Sequence, residues 1–85
     1  LLVAPPPIEE RGCLAEMFAG GAAKSQALAP AIAAVAARLG VAFLDAGPLV
    51  RVSATDGIHY DAAAMPALAR AFAAATDRHF PALRR

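Results

Sequence analysis

The sequence is short of the features that most simply fix the class of a small protein. Cysteine occurs once, at Cys13, so no internal disulfide can close and no CxxC or Cys/His spacing for structural zinc exists. A lone thiol fits a reducing compartment, and a cytoplasmic setting is expected over a secreted one. Charge is sparse as well: 18% of the residues carry it, the net is +1, and Arg38, Arg51, Arg70 and Arg78 are scattered among acids. Nothing forms the basic stripe that neutralises phosphates, which excludes nucleic acid as an expected partner. The longest apolar run, 27–37, contains Pro30 and falls short of the roughly 20 residues a membrane helix requires, so no membrane association is expected. The opening Leu1-Leu2-Val3-Ala4 has neither an initiator Met nor the basic segment of a secretory signal. Only Ser25 and Ser53 are serines, and neither sits in a Gly-x-Ser-x-Gly elbow.

What the chain does have is apolar content: 59% of its 85 residues are hydrophobic, far from the composition that keeps chains disordered. A chain of this length buries only about 60–65% of its unfolded surface. So much apolar surface calls for a covering layer beyond the chain itself.

The order of elements is legible. Leu1 to Ala4 is a continuous apolar run ended by Pro5-Pro6-Pro7, as suits a parallel strand buried on both faces and stopped where ladder donors vanish. A chain opening in mid-strand suggests truncation. Ile8 to Gly21 keeps no period and reads as a loop with one helical turn. From Lys24 to Leu39, the residues Leu28, Ile32, Val35 and Leu39 share one helical face, Pro30 starts or kinks the helix, and Gly40 stops it. Val41 to Leu44 repeats the strand signal about 40 residues after the first, room for one right-handed βαβ crossover. Leu49 to Tyr60 is loop. Asp61 then offers an N-cap to a last helix with Met65, Leu68, Phe72 and Ala75 on one face, while His79 in its last turn reads as a surface residue. Two parallel strands cannot cover their own faces, so neighbouring strands are implied.

The chemistry concentrates in Thr55-Asp56-Gly57-Ile58-His59-Tyr60-Asp61, beyond the C-terminal end of the second strand, the edge of an open α/β sheet where ligands bind. A serine hydrolase needs an imidazole whose Nδ1–H is held by a carboxylate while Nε2 faces the hydroxyl. Asp56 and His59 could supply that pair from one turn. Gly57 between them permits the positive φ that curls the carboxylate back onto the ring. A carboxylate is ionised near neutrality, where histidine ordinarily titrates, which suits a general base. The same residues have plainer uses: an Asx-turn and a half-buried histidine ahead of a capped helix. A metal site from Asp56, His59 and Asp61 lacks a fourth ligand at a recognisable spacing. Cys13 reads as a small half-buried thiol rather than a nucleophile.

Asp56-Gly57-Ile58-His59-Tyr60, followed by a helix of small residues, resembles the last block of the SGNH (GDSL-family) hydrolases. Leu2-Val3-Ala4-Pro5-Pro6-Pro7 and Phe43-Leu44-Asp45-Ala46-Gly47 are similar to the last two strands of the bacterial arylesterase branch, and Lys24-Ser25-Gln26 with Leu28-Ala29 to the start of the helix between them. The resemblance implies an α/β, flavodoxin-like parallel sheet with flanking helices, of which residues 1–85 hold the last two strands and the C-terminal helices as part of one hydrolase domain. It implies a serine esterase cleaving small acyl or aryl esters through an acyl-enzyme, with Asp56 orienting His59 and His59 acting as base, and no cofactor or metal. The family's Gly-Asp-Ser block and its oxyanion glycine and asparagine have no counterpart; the sequence contains no asparagine. The expected partners are therefore a small ester, the upstream part of the same domain and, as an open possibility, further copies of the chain. The 85 residues alone are expected to be inactive. The competing reading is a non-catalytic α/β fragment or partner-binding module.

Overall fold

The computed structural model describes residues 1–83. Strand β1 (Leu2–Ala4) runs into a loop with a 3₁₀ turn at Gly12–Leu14, and helices α1 (Gly21–Gln26) and α2 (Leu28–Leu39) lead to strand β2 (Phe43–Asp45). A long loop and a 3₁₀ turn at Ala62–Ala64 precede helix α3 (Met65–His79), and a last 3₁₀ turn covers Pro81–Leu83. This is the α/β order read from the sequence, with the two strands parallel and Leu2, Val3 and Ala4 opposite Phe43, Leu44 and Asp45.

Local chemistry accounts for the boundaries. The single helix expected over 24–39 is two, because Pro30 has no N–H for the Gln26 carbonyl and its ring crowds that carbonyl; the break falls at Ala27. Gly40, at φ 67°, ends α2 with a Schellman pair: Gly40 N–H donates to Ala37 O at 3.3 Å and Val41 N–H to Ala36 O at 3.0 Å. Pro66 does not disturb α3, since it lies in the first turn where N–H groups have no helical partner. Asp61 departs from expectation. It holds the N-cap position of the 3₁₀ turn, with extended backbone and its carbonyl accepting Ala64 N–H at 3.0 Å, but its carboxylate makes no capping bond.

The core is built from small residues. Ala4, Ala36, Ala46, Val50, Val52 and Ala75 are buried, and among the described residues no large side chain is fully enclosed. The helical faces read from spacing are real but lie half open: Ile32, Val35 and Leu68 are partly covered, whereas Leu28, Met65, Phe72 and Leu39, the last at 64% exposure, remain exposed. The shape agrees. Extents of 45 × 30 × 15 Å and a radius of gyration of 14.5 Å describe an open slab, where a compact domain of this length would have a radius near 12 Å.

The sheet edges are open too. Leu2 N–H donates to Ala42 O at 2.8 Å and Ala46 N–H to Ala4 O at 2.9 Å. Backbone groups alternate sides along a parallel strand, so those of Val3 face the outer edge of β1 and those of Phe43 and Asp45 the outer edge of β2. Among the described residues no third strand pairs with either edge.

Candidate active site

Both strands end at the same edge, and the loops leaving them meet there. Val50 and Val52 are buried and anchor the loop after β2, and the chain then turns sharply through Asp56-Gly57-Ile58-His59. Ser53, itself buried, braces the turn from within. Its carbonyl accepts Gly57 N–H at 2.7 Å, its own N–H donates to His59 O at 2.6 Å, and its hydroxyl accepts Thr55 N–H at 3.1 Å.

Asp56 uses both carboxylate oxygens inside this turn. Oδ1 accepts the backbone N–H groups of Ile58 at 2.8 Å and His59 at 2.9 Å. Oδ2 lies 2.5 Å from Nδ1 of His59. The histidine bond, followed by the two backbone bonds, holds the Asp56 carboxyl down at about 2 from its ordinary 3.8. Asp56 is therefore ionised and can only accept, so the proton between the two side chains belongs to Nδ1. In a neutral ring that leaves Nε2 as the basic nitrogen, and it makes no hydrogen bond among the described residues. The Asp56 side chain is 16% exposed and that of His59 73%, so the carboxylate is sheltered while the ring reaches outward.

The turn is fastened on its other side by the loop that leaves β1. Glu9 N–H donates to Gly57 O and Cys13 N–H to Thr55 O, both at 2.9 Å. Gly57 and Gly12 each have φ 74°, and a Cβ on either would collide with backbone across the crossing, the Glu9 carbonyl oxygen in one case and that of Thr55 in the other. Glu9 also receives Arg51 in a bidentate pair, Nε to Oε2 at 3.0 Å and Nη2 to Oε1 at 2.9 Å, with Arg11 at 3.2 Å. Arg51, ahead of Arg11, keeps the Glu9 carboxyl below its ordinary range.

The structure thus brings together the two residues singled out from sequence, Asp56 and His59, in the mutual geometry a serine hydrolase's base requires. Ser25 and Ser53 are committed elsewhere. The Ser25 hydroxyl accepts Ile8 N–H and donates to Ala22 O, both at 2.9 Å, and Ser53 is enclosed beneath the turn. Cys13 is exposed rather than half-buried, because only its backbone is drawn into the crossing. Among the described residues no three side chains of His, Cys, Asp or Glu gather as a metal would need, and Asp61 does not join Asp56 and His59. Sequence reasoning missed Glu9, Gly12, Arg51 and Ser53. The one available signal was a glycine inside a loop at Arg11-Gly12-Cys13, which gives no hint of what it crosses.

No family model matches the sequence, and no curated protein matches it. Solved structures do. A carbohydrate acetylesterase family member from Sinorhizobium meliloti is 34% identical over 93% of this chain, with a TM-score of 0.84. A protein from Agrobacterium tumefaciens str. C58, provisionally named an arylesterase, is 36% identical over 92% of the chain, with a TM-score of 0.76. This chain spans 38% of the length of each.

Proposed function

The chain belongs to the SGNH/GDSL-type esterase family, and from that premise we propose that Asp56 and His59 are the acid and base of a Ser-His-Asp triad acting on small acyl or aryl esters. The observation that carries this reading is the 2.5 Å contact between Oδ2 of Asp56 and Nδ1 of His59, with the carboxylate sheltered and the ring exposed at the C-terminal edge of the strands. Residues 1–85 form, in this proposal, the C-terminal part of one flavodoxin-like hydrolase domain. The open sheet edges, the exposed apolar faces and the 38% span of the relatives support that division.

The chemistry follows from the pair. A serine from the rest of the domain attacks the ester carbonyl carbon as its hydroxyl proton passes to Nε2 of His59, and Asp56 stabilises the imidazolium that forms. Collapse of the tetrahedral species breaks the bond to the alkoxy oxygen, which takes the proton from Nε2 and leaves as the alcohol. Water then repeats the sequence on the acyl-enzyme: its proton goes to Nε2, its oxygen forms the acid, and the serine is reprotonated. Oxyanion donors come from outside this chain. The name of one relative, an acetylesterase, favours a small acyl group, and that of the other, an arylesterase, an aryl leaving group.

The test is hydrolysis of an activated acetyl ester by the complete esterase carrying His59→Ala. Loss of a triad base is expected to lower kcat roughly 10⁴- to 10⁶-fold. Turnover near that of the unmodified enzyme would sink the assignment.

A further inference from the structure

We propose that Glu9 is a positioning residue for the Asp56–His59 pair, gripping Arg51 with its carboxylate and Gly57 with its backbone; the proposal rests on the esterase reading above. Glu9 is far from the turn in sequence and lies on the loop leaving the other strand. Yet it meets the turn in two independent ways. Its N–H donates to Gly57 O at 2.9 Å, and its carbonyl oxygen occupies the space a Gly57 side chain would fill. Its two carboxylate oxygens face Nε and Nη2 of Arg51 at 3.0 and 2.9 Å, the side-on fork that fixes direction as well as distance.

Arg51 is set between Val50 and Val52, whose burial ties that stretch to the core. Glu9 therefore spans from a fixed point of the fold to Gly57, the first of the two residues between Asp56 and His59. If the carboxylate lets go, the main-chain bond to Gly57 remains but its anchor does not, and the pair gains freedom to drift. A shift of a fraction of an ångström degrades proton transfer far more than ester binding. The expected signature is a fall in kcat without a matching change in KM. Arg11, the other cation on Glu9, bonds one oxygen singly at 3.2 Å and cannot replace the fork.

The experiment uses the complete esterase with an activated acetyl ester. Glu9→Gln and Arg51→Gln are each expected to lower kcat about 3- to 10-fold, with KM within about twofold and the unfolding midpoint nearly unmoved, since an exposed pair contributes little to stability. The double variant should be no worse than either single one, because both remove the same link. Arg51→Lys, which keeps the charge but not the fork, should fall between wild type and Arg51→Gln. Unchanged kcat in both single variants, effects that multiply in the double variant, or a lowered midpoint without a kcat change would each overturn the proposal. His59→Ala is measured beside them. If that variant stays active, the triad reading fails and the positioning role with it; if it is dead while the Glu9 and Arg51 variants are normal, the positioning role alone fails.

Discussion

The carbonyl oxygen of Glu9 lies where a side chain on Gly57 would have to go. Two chain segments, one leaving each strand, are thus in contact through bare backbone directly behind the carboxylate and imidazole of the proposed triad.

Gly57→Ala should therefore be far more damaging than the same change at a glycine with open space around it. It meets both the cost of a side chain at positive φ and a collision with Glu9. Together these are expected to cost roughly 2–4 kcal/mol and to lower kcat by about 100-fold or more. Gly40→Ala is the control, with a similar φ of 67° but open space around it. It should cost only about 1–2 kcal/mol and leave activity intact. Chemical denaturation and steady-state kinetics on both variants check the contrast; equal effects would mean that the crossing does not matter.

Acid stability should carry the mark of Asp56. Its carboxyl is held at about 2 in the fold against 3.8 ordinarily. A depressed folded value stabilises the protein wherever the carboxylate is ionised, above the unfolded value, and that contribution disappears as pH falls through the folded one. The stability advantage of wild type over Asp56→Asn that comes from this carboxyl should accordingly be lost as pH falls between about pH 4 and 2. Urea unfolding across that range measures it. Glu9, also held below its ordinary value, adds to the same acid limb.

The 85 residues on their own should neither fold well nor hydrolyse an ester. Met17, Leu39, Leu49, Phe72 and Phe80 are among the large apolar side chains left exposed, and among the described residues no strand pairs with the outer edge of β1 or β2. Such surfaces bind hydrophobic dyes and associate. The purified chain is expected to show strong dye fluorescence, broad unfolding and no turnover of an activated acetyl ester. A sharp cooperative transition from a monomer would contradict the proposed division of the domain.

Much of this was legible in the sequence, for identifiable reasons. The strands were readable because Leu1 to Ala4 and Val41 to Leu44 are apolar on both faces and bounded by proline or glycine. The pairing of Asp56 with His59 was readable because it is local, three residues apart around a glycine. Helix faces were readable as periodicity but not as burial. Leu39 satisfies the spacing yet stands exposed, since periodicity tells which residues share a face and not whether that face is covered. The break at Ala27 follows from Pro30 only once the Gln26 carbonyl is considered. The crossing of Glu9 to Cys13 over Thr55 to Gly57 was not readable at all, because backbone contacts between distant loops leave no side-chain pattern.

That crossing bears on how such a protein can change over generations. Beside the Glu9–Arg51 fork, the two loops are fastened main chain to main chain, through Glu9 and Gly57 and through Cys13 and Thr55, with two glycines marking the places where nothing larger fits. The side chains of Arg11, Cys13, Ala54 and Thr55 are exposed around it and take no part in the main-chain bonds. Substitution of the Cys13, Ala54 or Thr55 side chain leaves the donors and acceptors of those main-chain bonds in place. The crossing thus sets two kinds of position side by side: exposed ones whose side chains lie clear of the main-chain bonds, and two glycines where any Cβ would strike the opposite backbone.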